Sequence, residues 1–438
     1  MMKYFIRLFI LLVFPFSLNA QELSFSTQIL KWPTGKKAAI SLTYDDGTYN
    51  QFKIALPIME EHGMRGTFYI NTGEIPGQKQ EAKFLGRDPM TIIAETAQIP
   101  TSEENLFERA GLIRFLEMPG AVSYHDRAGA AFEQGRKEMA FQLIDEGFAK
   151  AREGNITKLK APQIIDGPMI GWDELRTYAA RGHEFGVHTI SHPRLAVLDE
   201  ENLLFELEKC AEDIERELGK YFLFSAECPF GTENERVMEY ALELFPATRN
   251  RMPEPWLEEI NRSGRFDLKK EYGTEYVQWQ RGPLSQTSPE LMKSWVDDIL
   301  TRDDTWLVLV FHGIEGIGWE AIPETRIRDY FQYIASKSED VWVATFAEVT
   351  KYLRQRMAST IQMSAGAKSI EINLQSDLDP YWYDQTLYLK TYIPQTWTNV
   401  QVSQKGENLA FESGVDQNGK YVSYPYLPDS GGVLINAQ

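Results

Sequence analysis

Ser41-Leu-Thr-Tyr-Asp-Asp-Gly47 decides how the chain is read. An apolar, β-prone run, Ala38-Ala-Ile-Ser-Leu-Thr-Tyr44, stops abruptly at two adjacent carboxylates and a glycine, as a buried strand does when it delivers charge to the rim of a sheet. Neighbouring carboxylates can divide the work there. One holds a cation and the other handles a proton, because a bound cation removes most of their mutual repulsion. Taken alone, the stretch also reads as a strand closed by an Asp-Gly turn, so other residues must raise it above that.

Downstream, Phe52 to His62 has apolar residues at helical spacing and stops at Gly63, and Gly66-Thr-Phe-Tyr-Ile70 follows as a strand. Strand, helix and strand in that order predict a parallel βα arrangement. The rhythm breaks between about 71 and 165, where helical patches (Asn105 to Glu117, Gly129 to Arg152) alternate with polar joints and no strand is evident. This region reads as a helical insertion in a βα loop, a place where binding surfaces are commonly built, and equally as inert decoration. Alternation resumes with helices at Asp173 to Arg181 and Asp199 to Leu218 and strands at Glu184-Phe-Gly-Val-His188 and Phe222 to Cys228. It ends with the strands Trp306 to Phe311 and Val341 to Thr345 and the helix Phe346 to Arg356. Such repetition favours a barrel or an open α/β sheet. After about Met357 the composition changes to short alternating strands rich in aromatic and β-branched residues, which predict a small C-terminal β-sandwich over 358–438. Its Trp382, Tyr383 and Trp397 suit core or interdomain packing better than sugar stacking.

The 438 residues are 43% hydrophobic, enough for one large domain and a smaller companion. A net charge of -18 disfavours nucleic acid or an anionic membrane as partner and suits a neutral or cationic substrate. Residues 1–20 join Lys3 and Arg7 to a short apolar run and end in Ser17-Leu-Asn-Ala20, the pattern of a cleavable signal peptide. The expectation is a secreted or periplasmic protein with no membrane anchor and a catalytic domain over 21–357. The two cysteines, Cys210 and Cys228, lack metal-site spacing and are read as unpaired.

His188-Thr-Ile-Ser-His192-Pro193 puts two imidazoles four residues apart just past a strand. In one helical turn both rings would face the same way, and two histidines with a carboxylate leave a hydrolytic metal one open position for water.

With these residues in hand, Thr43-Tyr-Asp-Asp-Gly47 resembles the first motif of the polysaccharide deacetylases with a NodB-type domain, carbohydrate esterase family 4, and His188 to Pro193 resembles the second. Arg181-Gly-His-Glu-Phe-Gly-Val187 is similar to the family's approach to the second motif, and Gly66 to Ile70 to its second strand. The resemblance implies an α/β fold, a distorted (β/α) barrel of the NodB type with its site at the strand C-terminal rim. It also implies an acetylated carbohydrate as substrate, losing N- or O-linked acetyl groups. Asp46, His188 and His192 would hold a divalent metal, zinc or a similar ion, with Asp45 as general base. His312, closing Val308-Leu-Val-Phe-His-Gly313, resembles the last motif and would be the general acid. Trp319, Trp279, Phe230 and Arg281 are candidate substrate contacts, and His125 in the insertion is an outside one.

Glu227-Cys-Pro-Phe-Gly231 departs from the family pattern, which has arginine where Glu227 stands. A second carboxylate near Asp45 implies that Glu227 shares the base role or is neutralised by a replacement cation, with Arg249, Arg251 and Arg281 as candidates. The reversed charge keeps two other readings open: a carbohydrate-binding protein on a disabled deacetylase fold, and a deacylase of a non-sugar amide.

Overall fold

The structure is a computed structural model and describes residues 25–165, 167–251 and 274–438. The signal-peptide reading of 1–20 lies outside the described residues. Among them, no helix is long and apolar enough to cross a membrane.

The strands in chain order are β1 (Ser26–Ile29), β2 (Ala38–Tyr44), β3 (Gly66–Ile70), β4 (Glu184–Val187), β5 (Ser225–Ala226), β6 (Ala247–Thr248), β7 (Val277–Arg281), β8 (Thr305–Phe311) and β9 (Val341–Val343). Seven of them form a curled parallel sheet in the order β6-β5-β4-β3-β2-β8-β7. β2 is its centre. β8 pairs with β2 along its whole length, from Ala38 opposite Thr305 to Tyr44 opposite Phe311. Its other edge is divided between β9, on Ala38 to Ile40, and β3, on Leu42 to Tyr44. Every residue of β2 and β8 is buried, which is why both read as continuous apolar runs rather than alternating ones. The sheet is a distorted (β/α) barrel of the NodB type. Between its ends, β6 and β7, side chains span the gap: Gln278 and Gln280 each donate through Nε2 to the Arg249 carbonyl, at 2.6 and 3.1 Å.

The insertion is helical, with its own core around Leu112, Ile113, Tyr124 and Phe148. The patch Gly129 to Arg152 is two helices, Ala121–Glu133 and Lys137–Glu153, not one. The break falls at Gln134-Gly135-Arg136, where Gly135 takes a φ of +74° that only glycine adopts cheaply.

The C-terminal strands are β10 (Ser359–Ala365), β11 (Ser369–Ser376), β12 (Leu387–Tyr392), β13 (Val400–Gln404), β14 (Glu407–Asn408), β15 (Glu412–Asp416), β16 (Gly419–Tyr426) and β17 (Val433–Ala437). Two antiparallel sheets, β1-β12-β16-β15 and β10-β11-β17-β13-β14, enclose a core of Ile370, Ile372, Leu389, Val422 and Tyr424. β1 is grouped by sequence with the catalytic domain, yet it pairs with β12 as an edge of this sandwich. Its Ser-Thr-Gln-Ile carries too little apolar signal to say so. Trp397 is buried in the sandwich core, and Trp382 and Tyr383 pack against Phe224 at the foot of the barrel. All three are packing residues.

Candidate active site

The C-terminal ends of β2, β4, β5, β6 and β8 open into one cavity of about 1050 Å³, lined among others by Asp45, Asp46, His188, His192, Glu227, Arg249 and His312. Four non-glycine residues in or next to its lining are in the left-handed region: Asp46 (φ +76°), Thr189 (+68°), His192 (+53°) and Phe230 (+60°). Each such residue costs of order 1 kcal/mol or more and persists only where its surroundings fix it.

The surroundings of His188 to Arg194 do so. The segment bends through two left-handed residues instead of making the helical turn that the spacing suggests, yet the two rings lie 5.0 Å apart. Thr189 Oγ1 accepts from the His192 amide at 3.0 Å. Glu206 Oε2 accepts from both the Ile190 and the Ser191 amides at 2.9 Å. Two residues of the insertion hold the outer side. Arg114, fully buried, donates to Ser191 Oγ at 2.8 Å and to the Ser191 carbonyl. His125 donates through Nδ1 to the Ala110 carbonyl at 2.8 Å and accepts from the Arg194 amide at 2.9 Å through Nε2. His125, an outside candidate for substrate contact, is thus a buried structural residue, and burial pushes its pKa down to about 3.

Asp46, His188 and His192 offer ligand atoms that all lie within 4.8 Å of one another. Asp46 Oδ1 is 3.3 Å from His192 Nε2 and 3.6 Å from His188 Nε2, is buried, and accepts no hydrogen bond among the described residues. A buried carboxylate oxygen without a donor is costly. One cation between it and two Nε2 atoms satisfies all three, so the donor set fits a divalent ion. Burial opposes charge on Asp46, but His188 and His192 outweigh it and hold the carboxyl below its usual range. Burial likewise opposes charge on His188, and Glu227 and Asp46 outweigh it, holding the imidazole well above its ordinary value. Burial prevails at His192, which falls to about 4. His188 Nδ1 faces Glu227 twice, 2.9 Å from its carbonyl and 2.9 Å from Oε2. A carboxylate or carbonyl behind the distal nitrogen is how ligating histidines are commonly oriented.

The reversed charge at Glu227 is met from the next strand. Arg249, just past β6, contacts Asp45 with both terminal nitrogens, at 2.5 and 2.7 Å, and lies 3.0 Å from Glu227 Oε1. Asn250 adds a donor to Glu227 Oε1 at 2.9 Å. Of the three candidate cations, Arg249 stands between the carboxylates. Arg281 stacks 4.2 Å from the Trp279 ring, and Trp279 is packed in the barrel core. Neither lines the cavity, because β7 alternates: Gln278 and Gln280 turn inward to Arg249, and Trp279 and Arg281, at the alternate positions, turn away. His312 Nε2 is 3.4 Å from Asp45 Oδ2, at the mouth of the same cavity.

Residues 33–244 match the family model described as polysaccharide deacetylase. Over these residues the chain belongs to the polysaccharide deacetylase family. Among curated proteins, a gellan lyase from Bacillus sp. is 24% identical over 279 residues, which are 59% of this chain and 11% of that protein, so the chain spans about a tenth of that relative's length. Similar solved structures include a Mycobacterium smegmatis protein described as a polysaccharide deacetylase (14% identity, 77% of this chain and 96% of that one, TM-score 0.40). Another is a family 4 carbohydrate esterase from Streptomyces lividans in complex with acetate (10% identity, 72% and 95%, TM-score 0.33).

On the rim of this deacetylase domain, Phe230 is 44% exposed with its ring 4.6 Å from His192, and Trp319 is 58% exposed with its ring 4.8 Å from His312. Apolar rings open to solvent above the polar floor can meet a sugar face. Cys210 and Cys228 are buried free thiols. Sequence reasoning missed Arg114, Glu206 and Asn250. Only Asn250 carried a signal, since Arg249-Asn250 follows β6 as Asp45-Asp46 follows β2.

Proposed function

We propose that the protein is an exported, metal-dependent carbohydrate deacetylase that hydrolyses N- or O-acetyl groups on a polysaccharide or oligosaccharide. One observation carries the reading: the unsatisfied Asp46 Oδ1 meets two histidine Nε2 atoms beside a second carboxylate, Asp45, that arginine holds in place. Asp46, His188 and His192 would hold the ion, for which zinc is the first choice. When bound, it would polarise the acetyl carbonyl and lower the pKa of water at the site towards about 7.

The chain's own groups handle position and protons. Arg249 fixes both oxygens of Asp45, leaving the carboxylate oriented to accept a proton from the attacking water as general base. His312, 3.4 Å from Asp45 Oδ2 and partly open to solvent, donates a proton to the departing amine or alcohol. Glu227 takes the part of orienting His188 through Nδ1, rather than a second base, because Arg249 and Asn250 engage its other oxygen. Phe230 and Trp319 border the acceptor sugar.

Acetate release from a panel of acetylated glycans, with a chelator and after zinc is returned, tests this. Asp46→Ala and His188→Ala should lose zinc binding and hydrolysis together, and Asp45→Asn should keep zinc and lose turnover. Full activity in a metal-free Asp46→Ala protein would refute the mechanism. Glycan binding without acetate release by the unaltered protein would leave the carbohydrate-binding reading.

A further inference from the structure

The cavity has a second wall that the barrel does not supply. It comes from the helical insertion: Val122 and Asp126 on the helix Ala121–Glu133, and Gln163, Ile164 and Ile165 on the chain leaving the insertion. Val122 and Asp126 are four residues apart, so they share one face of that helix. Both parts of the wall are fixed from behind. His125, one residue before Asp126, is bonded at both ring nitrogens, to the Ala110 carbonyl and the Arg194 amide. The carboxylate of Glu74 accepts the Ile164 and Ile165 amides at 2.6 and 3.2 Å. The wall is therefore preorganised, as a binding surface should be.

Asp126 stands out within it. Its Oδ1 is buried, and it accepts no hydrogen bond among the described residues. The nearby guanidinium groups are engaged elsewhere: Arg114 with Ser191 and Glu206, and Arg194 with Glu133 while stacked 4.1 Å over Phe230. Burying a carboxylate without donors costs stability, and a group kept at such cost beside a binding cavity is poised for a donor that arrives with a ligand. The rest of the wall, Val122, Ile164 and Ile165, is apolar with one amide, Gln163. One acceptor beside an apolar strip matches a pyranose ring, which has a C–H face and a hydroxyl edge.

We infer that the insertion wall is a glycan subsite, in which Asp126 accepts hydrogen bonds from the hydroxyls of a neutral sugar adjoining the residue that is deacetylated. The inference rests on the deacetylase reading and deepens it: the insertion makes the protein select a chain of sugars over a single acetylated ring. A carboxylate at this place also disfavours glycans carrying acidic groups near the cleaved acetyl.

The test uses the full chain, zinc-loaded and carrying Asp45→Asn so that bound glycan is not consumed. Calorimetry measures binding of N-acetylated chitotetraose, acetylated xylotetraose and N-acetylglucosamine, before and after Asp126→Ala and Asp126→Asn. The expected result is roughly tenfold weaker binding of a tetrasaccharide in Asp126→Ala, a smaller loss in Asp126→Asn, and monosaccharide binding within twofold of the parent. The thermal midpoint of both variants should equal or exceed the parent's, since no native hydrogen bond is lost. Unchanged tetrasaccharide binding, an equal loss for mono- and tetrasaccharide, a lowered midpoint, or no binding of either tetrasaccharide by the parent would each overturn the subsite. Failure of the deacetylase reading shows separately, as no acetate release from the protein with Asp45 intact.

Discussion

Replacing Arg249 with methionine removes the guanidinium that stands between Asp45 and Glu227. All three side chains are at most 4% exposed, so solvent cannot take its place. Removing one member of a buried ion pair typically costs about 3–5 kcal/mol, because the partner is left charged and unpaired. Here two carboxylates lose the same cation, although Glu227 keeps Asn250 and His188. The expected loss of barrel stability is therefore about 3–5 kcal/mol, with most of it attributable to Asp45. A double-mutant cycle with Glu227→Gln isolates the shared charge. If Arg249 compensates both acids, Arg249→Met should cost about 1–2 kcal/mol less in the Glu227→Gln background, within the range of coupling seen for directly interacting residues. The rate should fall as well. Asp45 would keep its carboxylate but lose its fixed orientation, and displacement of a reacting group by about 1 Å can cost roughly a hundredfold in turnover. Urea unfolding of the metal-free protein, followed by tryptophan fluorescence, gives the stabilities, and acetate release with zinc supplied gives kcat. A cost below about 1 kcal/mol for Arg249→Met, or equal costs in both backgrounds, would refute the claim that Arg249 replaces the family arginine.

Two further predictions concern the histidine segment. A Cβ on Gly73 would sit 2.6 Å from the Ile190 carbonyl oxygen and 2.5 Å from its Cγ2, so Gly73→Ala should shift the segment and weaken zinc binding about tenfold or more in competition with a chelator; unchanged affinity would show that the close approach does not set the ligands. His125 titrates near 6.5 when unfolded and at about 3 in the fold, where burial disfavours its charge, so between those values the unfolded chain binds the extra proton. The stability it contributes is complete above about pH 6.5 and is lost towards pH 3 at up to about 1.4 kcal/mol per pH unit. The stability difference between the unaltered protein and His125→Gln should therefore shrink across that window, as acid titration of urea unfolding would show, and a constant difference would contradict it.

The sequence by itself determined the βα order, the family and the pairing of Asp45-Asp46 with His188 and His192. Each of these signals is local: an apolar run that ends in charge, and a fixed spacing after a strand. It also marked the place of doubt at Glu227, since a carboxylate where the family has arginine is visible in one position. Only the tertiary structure decided what answers that charge. Arg249 lies 22 residues further on, past another helix; it adjoins Glu227 because β6 pairs with β5, and it reaches Asp45, at the end of β2, across the same rim of the curled sheet. The sequence left Arg249 level with Arg251 and Arg281; the contacts with Asp45 and Glu227 single out Arg249, and the inward-outward alternation of β7 turns Arg281 away. The insertion shows the same limit. Its helices were legible from periodicity, but the contacts of Arg114 and His125 with Ser191 and Arg194 span some 70 residues and depend on how two helices dock against the barrel. Long-range polar contacts leave no spacing to read. The Asp45-Asp46 pair was therefore evident from the chain, and its electrostatic setting was decided by the fold.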